Sequence, residues 1–82
     1  MAVEYLGLSS LNGPLAVLEG VSGASYDEIV EMTVGGKEKK LGRIIEAYED
    51  KAVIQVFEGT NGISLDNTRT RLMGHPVEMP LS

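Results

Sequence analysis

The chain has 82 residues, no cysteine, and a net charge of −5 from seven basic and twelve acidic side chains. This length suffices for one domain with a small core. Without cysteine, neither a disulfide nor a thiolate metal site can stabilise that core. The absence of cysteine also indicates a reducing compartment. The acidic balance argues against nucleic-acid binding, which draws most of its affinity from cations on phosphate.

The N-terminal stretch MAVEYLGLSS has neither the basic region nor the long apolar core of a secretory signal. Apolar runs elsewhere reach four to six residues, whereas a membrane-spanning helix needs about 20. We therefore expect a cytoplasmic protein with no direct membrane insertion.

Glycine-rich turns divide the chain into short segments rich in Val, Ile, Leu and Tyr, which is typical of strands. In the third segment Val30, Met32 and Val34 share one face, and Gly35-Gly36 then predicts a tight hairpin. In the fourth, Leu41, Ile45 and Ala47 are placed on one face, interrupted by Arg43. The predicted strands cover residues 3–11, 14–19, 28–34, 39–48, 52–58 and 68–73.

The fifth of these segments, AVIQVFE, is the most apolar. Val53 and Phe57 occupy one parity and Ile54 and Val56 the other, which predicts that both faces are covered. Six short strands with frequent turns indicate an all-β domain, either a small antiparallel barrel or a sandwich.

Two glycine-rich stretches invite comparison with phosphate-binding loops. EGTNGI, residues 58–63, lacks both the glycine spacing and the Lys of such loops, and GGKEK has Glu38 where a hydroxyl would bind magnesium. Neither stretch precedes a predicted helix whose N-terminus could hold an anion. We interpret both as turns, with Gly59 and Gly62 at positive φ and the Thr60 hydroxyl bonded to the local backbone.

No other residues form a catalytic or metal-binding pattern. His75 has no partner in sequence for a triad or a metal site, and Ser9 and Ser10 lack a nucleophile elbow. Paired carboxylates require desolvation in a cleft to act as acid and base, for which a barrel of this size has little room. The acidic pairs considered are Glu28 with Glu31 and Glu46 with Glu58. The prediction is that the domain is not an enzyme by itself.

Four segments in order, LNGPLAVLEG, YDEIVEM, LGRIIEAYEDKAVIQVFEGTNGI and TRTRLMGHPVEMPLS, together resemble one family. They are similar to the N-terminal β-barrel domain of the B subunit, the non-catalytic or regulatory subunit, of archaeal and vacuolar-type rotary ATPases. The resemblance covers essentially residues 1–82 and implies a single, small, closed six-stranded antiparallel β-barrel. The matching residues form a structural signature: Gly13, Pro14, Gln55, Val56, Phe57, Glu58, Gly59, Thr60 and Gly62.

The resemblance implies a mechanical role. Six such barrels, from alternating A and B subunits, would form a crown that holds the hexamer together and docks the peripheral stalk. The expected partners are the catalytic A subunits and the stalk subunits, in a machine for ATP synthesis or ATP-driven proton or sodium transport. The family's nucleotide-binding and C-terminal helical domains are absent from this sequence, so no cofactor is expected here, and ATP and Mg²⁺ would bind elsewhere in the complex.

Two further expectations concern the surface. Five of the seven basic residues lie between positions 37 and 51, and Lys37, Lys39, Lys40 and Arg43 are candidates for an interface with an acidic neighbour, against the alternative of ordinary solubility charges. The isolated domain is expected to be a monomer. The alternative function is a free-standing OB-like barrel that binds nucleic acid or a small anion.

Overall fold

The computed structural model describes residues 4–74, which form one antiparallel sheet of seven strands. These strands are β1 Glu4–Leu6, β2 Ser10–Asn12, β3 Leu15–Glu19, β4 Ile29–Val34, β5 Glu38–Ala47, β6 Lys51–Val56 and β7 Thr68–Gly74. Their spatial order is β1-β7-β4-β5-β6-β3-β2. Among residues 4–74 there is no helix long and apolar enough to cross a membrane.

The two edge strands of this sheet are consecutive parts of one N-terminal segment. Strand β1 pairs with β7, and after three residues β2 pairs with β3 at the opposite edge. Within those three residues the Gly7 amide donates to the Thr68 carbonyl at 2.8 Å, and the Ser9 amide donates to the Val17 carbonyl at 2.8 Å. The sheet therefore curls until its edges meet in this segment.

The all-β prediction is confirmed, and the count of six strands is one too few. The sequence predicted a single strand over residues 3–11, but the segment leaves one partner strand for the other at Gly7, which has a φ of 88°. That conformation suits glycine because no side chain resists it. Residues 4–12 still form one continuous segment of the barrel wall, with two hydrogen-bonded parts, β1 and β2. Residue 3 lies outside the described range.

The core fills the concave side of the curled sheet. Val30 and Met32 on β4 are buried as predicted, while Val34 at the end of the strand is only partly covered. Strands β3 and β6 place alternate residues inward because side chains along a strand point to opposite faces. The buried apolar residues are Ala16, Leu18, Val21, Val30, Met32, Ile44, Ala52, Ile54 and Val56.

Strand β5 corrects the predicted faces. Lys40, Gly42 and Ile44 are the inward residues, whereas Leu41 is 46% exposed on the outer surface. The sheet register shifts between residues 44 and 46 opposite β6, so a simple alternation counted from Ile45 and Ala47 fails. A bulge of this kind reverses the face assignment on one side of it.

Strand β6 is also less symmetric than predicted. Its inward residues Ile54 and Val56 are buried, but Phe57, which follows the last strand residue, is 55% exposed. Val53 on the outer face is only partly covered. The prediction that both faces of this strand are covered is therefore wrong at Phe57.

Gly42 lets β5 and β6 approach closely inside the barrel. A Cβ atom at this position would lie 2.7 Å from Ile54 Cγ2 and 2.8 Å from the Gln55 carbonyl oxygen. Contacts this short are repulsive, and one of the two atoms belongs to the backbone of the neighbouring strand. The position therefore excludes every side chain larger than hydrogen.

We expect Gly42→Ala to lower the free energy of unfolding by about 1–3 kcal/mol, the usual cost of overpacking a filled core. Urea unfolding of the two proteins, followed by tyrosine fluorescence, measures the difference. An unchanged transition midpoint would show that β6 can move away at little cost.

Strand β7 buries two threonines whose hydroxyl groups differ in their bonding. The Thr68 hydroxyl donates to the Ser64 carbonyl at 2.6 Å. The Thr70 hydroxyl, equally buried, has no hydrogen-bond partner within the described residues. A buried hydroxyl without a partner costs desolvation energy, whereas a bonded one recovers it.

The two threonines make a matched pair for mutation. Thr70→Val should leave stability unchanged or raise it by up to about 1 kcal/mol, because it removes an unsatisfied group and keeps the side-chain shape. Thr68→Val should lower stability by about 1 kcal/mol because the Ser64 carbonyl loses its donor. Thermal unfolding compares them, and equal effects at both positions would contradict the assignment.

Candidate functional site

The two parts of the predicted signature lie side by side at one end of the barrel. The turn between β2 and β3 consists of Gly13 and Pro14, since Asn12 pairs directly with Leu15. The Val56 amide donates to the Pro14 carbonyl at 2.9 Å. The Thr60 hydroxyl donates to the Gly13 carbonyl at 2.5 Å. The loop after β6 is thereby fastened to the first tight turn of the chain.

The loop itself contains two successive turns. The Gly59 amide donates to the Val56 carbonyl at 3.0 Å, and the Ile63 amide donates to the Thr60 carbonyl at 3.1 Å. Gly59 and Gly62 both have a φ of 83°, as predicted. In the second turn Gly62 occupies the third position, where a positive φ defines the type II turn and favours glycine.

The predicted partner of Thr60 is wrong. Its hydroxyl bonds to Gly13, 47 residues away in sequence, and not to its own loop. A local hydroxyl-to-backbone bond is the common pattern for Thr in turns. The long-range bond could not be inferred from either motif alone, because it depends on β3 pairing with β6.

The signature residues divide between the core and the surface. Val56 is buried, while Gln55, Phe57 and Glu58 are exposed. The structure thus brings together all the residues predicted as a signature and gives the glycines, Pro14, Val56 and Thr60 a part in turn geometry or in packing. Any role of the exposed members in contacts with other subunits stays a prediction.

The four basic residues proposed for an interface do not form one exposed patch. Lys40 points inward with only 7% of its side chain exposed, and its Nζ lies 3.8 Å from Glu38 Oε2 and 4.0 Å from Glu58 Oε1. Its place in the predicted set is wrong because the alternation along β5 turns it into the barrel. Lys37 is exposed in the β4–β5 hairpin.

The other two basic residues have carboxylate neighbours. Lys39 Nζ lies 4.0 Å from Glu31 Oε2, and Arg43 Nε lies 3.4 Å from Asp27 Oδ1. The Arg43–Asp27 pair is about half exposed on both sides and so contributes little to stability. In the Lys39–Glu31 pair the lysine is exposed, whereas Glu31 is mostly covered. Lys37, Lys39 and Arg43 remain candidates for contact with a partner.

The carboxylates considered as acid–base pairs have separate structural partners. Glu28 is buried, and its two carboxylate oxygens accept from the Ser25 amide at 3.1 Å and the Gly74 amide at 3.0 Å. It therefore ties the end of β7 to the loop before β4. Glu31 accepts from Arg71 Nη2 at 2.9 Å on the outer face.

The second pair separates in the same way. Glu58 lies near Lys40, and Glu46 accepts a hydrogen bond from the Tyr48 hydroxyl. That bond to an anionic acceptor, together with the carboxylate's charge, raises the pKa of Tyr48 above its ordinary value of 10.0. The arrangement stabilises the neutral phenol and offers no proton donor near neutral pH.

The remaining candidates are structural or lie outside the described residues. The Ser9 hydroxyl donates to the Val17 carbonyl at 3.1 Å, and Ser10 is a residue of β2. His75 is beyond the described range. Within residues 4–74 no group of three or more His, Cys, Asp and Glu side chains is arranged to hold a metal ion.

The barrel has two distinct ends. At the near end the described chain leaves at Gly74, beside the 20–28 loop and the 48–50 turn, whereas Glu4 pairs with Arg71 in the middle of β7. At the near end the Val21 amide donates to the Asp50 carbonyl at 3.1 Å. At the far end lie the 13–14 turn, the 35–37 turn and the 57–67 loop, and the Gly35 amide donates to the Asn67 carbonyl at 3.3 Å.

These features define the class of the protein. It is a small all-β barrel in which hydrogen bonds between the signature residues join the 13–14 turn to the loop after β6. The family model described as the β-barrel domain of the ATP synthase alpha/beta family matches residues 8–71. The chain belongs to this family. The resemblance predicted from the sequence, to the N-terminal β-barrel domain of the B subunit of archaeal and vacuolar-type ATPases, is confirmed by the relatives below.

The V-type ATP synthase beta chain of Thermotoga neapolitana is 52% identical over 83 positions, covering 100% of this chain and 18% of that protein. The V-type ATP synthase beta chain of Halothermothrix orenii is 46% identical over 79 positions, with 96% and 17% covered. The B subunit of the A-type ATP synthase of Aeropyrum pernix is 51% identical over 79 positions, again with 96% and 17% covered. The chain thus spans less than a fifth of these relatives.

The bond between Thr60 and Gly13 can be tested directly. Thr60→Val should lower the free energy of unfolding by about 0.5–1.5 kcal/mol, the net contribution of one hydrogen bond. Thr33→Val on the outer face of β4 is the matched control and should have little effect. Guanidinium unfolding measures both variants, and equal losses would mean that the hydroxyl bond does not fasten the two turns.

Proposed function

We propose that this domain is a structural and assembly module of a B-type subunit in a rotary ATP synthase. It forms part of the crown of β-barrels that holds an alternating A/B ring together, and it docks the peripheral stalk. The observation that carries the proposal is the similarity of the whole chain to V-type beta chains and to the B subunit of an A-type synthase, at 46–52% identity.

The geometry of the barrel suits this role. The described chain leaves at the near end, at Gly74, whose amide is bound by the Glu28 carboxylate. A following domain would therefore attach at the near end and leave the far-end turns exposed to other subunits. The sheet edges meet in the N-terminal segment, so few strand edges are free to pair elsewhere.

Two exposed apolar side chains support a contact surface on the outer wall toward the far end. Leu41 on β5 and Phe57 after β6 are neighbours, since the Phe57 amide donates to the Leu41 carbonyl at 3.0 Å. They are 46% and 55% exposed. Aromatic side chains are enriched at protein interfaces, and nearby Lys39 could steer an acidic partner.

The chemistry of the complex would then lie in other domains. Catalytic A subunits and stalk subunits would be the partners, and ATP and Mg²⁺ would bind outside this barrel. The module would lie on the cytoplasmic side, peripheral to the membrane, in a complex that synthesises ATP or uses it to move protons or sodium ions.

The test uses the full-length subunit and a form that lacks residues 1–74, each mixed with catalytic subunits. Native mass spectrometry over a dilution series measures the concentration at which half of the rings dissociate. We expect the shortened form to need at least about tenfold more protein, equivalent to about 1.4 kcal/mol of lost association free energy. Rings of equal stability would contradict the assembly role.

Two controls separate this outcome from its alternatives. Nucleotide binding by the shortened form shows that its remaining domains are folded. The isolated 82-residue chain should be monomeric by light scattering and should not retain single-stranded DNA at low salt. Retention that falls as salt rises would favour the OB-like binding module instead, because such binding depends on counterion release.

A further inference from the structure

The chain contains the dipeptide Asn-Gly twice, at Asn12–Gly13 and at Asn61–Gly62, and both asparagines are exposed. Asn-Gly is the sequence most prone to succinimide formation, because a following glycine has no side chain to hinder attack by its amide nitrogen. The third asparagine, Asn67, is followed by Thr68, whose branched side chain hinders attack by the Thr68 amide nitrogen. The sequence therefore gives two equal candidates for succinimide formation, and only the structure distinguishes them.

We propose that Asn61–Gly62 is a spontaneous modification site and that the fold protects Asn12–Gly13. The Gly62 nitrogen attacks Asn61 Cγ, a nitrogen–carbon bond forms, the bond to Nδ2 breaks, and ammonia leaves after proton transfer. Water then opens the resulting five-membered ring at either carbonyl. The products are aspartate or isoaspartate at position 61, each with one new negative charge.

Asn61 lies where the backbone is held by a single turn bond. It belongs to no strand, and among residues 4–74 the backbone hydrogen bond that spans it runs from the Ile63 amide to the Thr60 carbonyl, at 3.1 Å. The rotation needed to bring the Gly62 nitrogen to the Asn61 side chain therefore breaks this one turn bond.

Asn12 is held more firmly although it is also exposed. It is the last residue of β2 and pairs with Leu15 across the two-residue turn. The Gly13 carbonyl accepts from the Thr60 hydroxyl at 2.5 Å, and the Pro14 carbonyl accepts from the Val56 amide at 2.9 Å. Attack by the Gly13 nitrogen would disturb this pairing and both turn bonds together.

Modification of Asn61 would also affect the hydrogen bonds that hold this loop in place. Isoaspartate adds a methylene to the main chain between Thr60 and Ile63, the two residues joined by the turn bond. The new carboxylate also lies three residues from Glu58, which is 72% exposed. Both changes weaken the hydrogen bond from the Thr60 hydroxyl to the Gly13 carbonyl. The modified chain should therefore have a lower free energy of unfolding.

The experiment incubates the folded 82-residue chain at mildly alkaline pH and follows each site by peptide mass spectrometry, with electron-based fragmentation to separate aspartate from isoaspartate. We expect Asn61 to convert at least about tenfold faster than Asn12, the ratio produced by 1.4 kcal/mol of extra opening free energy. In urea the two rates should converge. Equal rates in the folded chain, faster conversion at Asn12, or no conversion at Asn61 would overturn the proposal.

Two variants test which contacts protect Asn12 from deamidation. Asn61→Ser should abolish the product at position 61 and leave the Asn12 rate unchanged. Thr60→Val should raise the Asn12 rate several-fold, because the Gly13 carbonyl loses its donor, while the chain stays folded by circular dichroism. An unchanged Asn12 rate in folded Thr60→Val would show that the hydroxyl bond gives no protection.

Discussion

The N-terminal segment is the part on which the rest of the structure depends, because it pairs with two strands that are otherwise not joined. Its first half pairs with β7 and its second half with β3, the two strands that would be edges without it. An unpaired edge exposes a row of backbone donors and acceptors. By bending at Gly7, one short segment satisfies both rows and encloses the core.

The arrangement of the far end depends on the pairing of β3 with β6. Pairing of β3 with β6 aligns Leu15 with Gln55 and so brings the 13–14 turn beside the loop after β6. The Thr60 hydroxyl can then reach Gly13, and the loop gains a tether that its own residues do not supply. If Phe57 contacts another subunit, as proposed above, a tethered loop has less conformational entropy to lose on binding.

Polar groups inside or beside the barrel mostly have structural partners. Glu28 binds two backbone amides, Thr68 binds a carbonyl, and Lys40 lies near two carboxylates. Burying such groups is costly unless they are hydrogen-bonded or paired. Glu28, one of the carboxylates considered for acid–base chemistry, thus holds the end of β7 to the loop before β4, which agrees with the proposed mechanical role.

Much of the fold followed from the sequence alone. Alternation of apolar residues and glycine-rich turns located the strands, and the glycines of the 58–63 loop were assigned their positive φ, because strand period and turn chemistry are local properties. Tertiary structure decided the rest. The bulge in β5 turned Lys40 inward and Leu41 outward, β3–β6 pairing directed Thr60 to Gly13, and the bend at Gly7 divided one predicted strand between two partners. The bend at Gly7 and the Thr60–Gly13 bond depend on contacts between residues far apart in the chain, and the bulge depends on the register of β5 against β6. Local sequence patterns do not show which strands will pair or in which register.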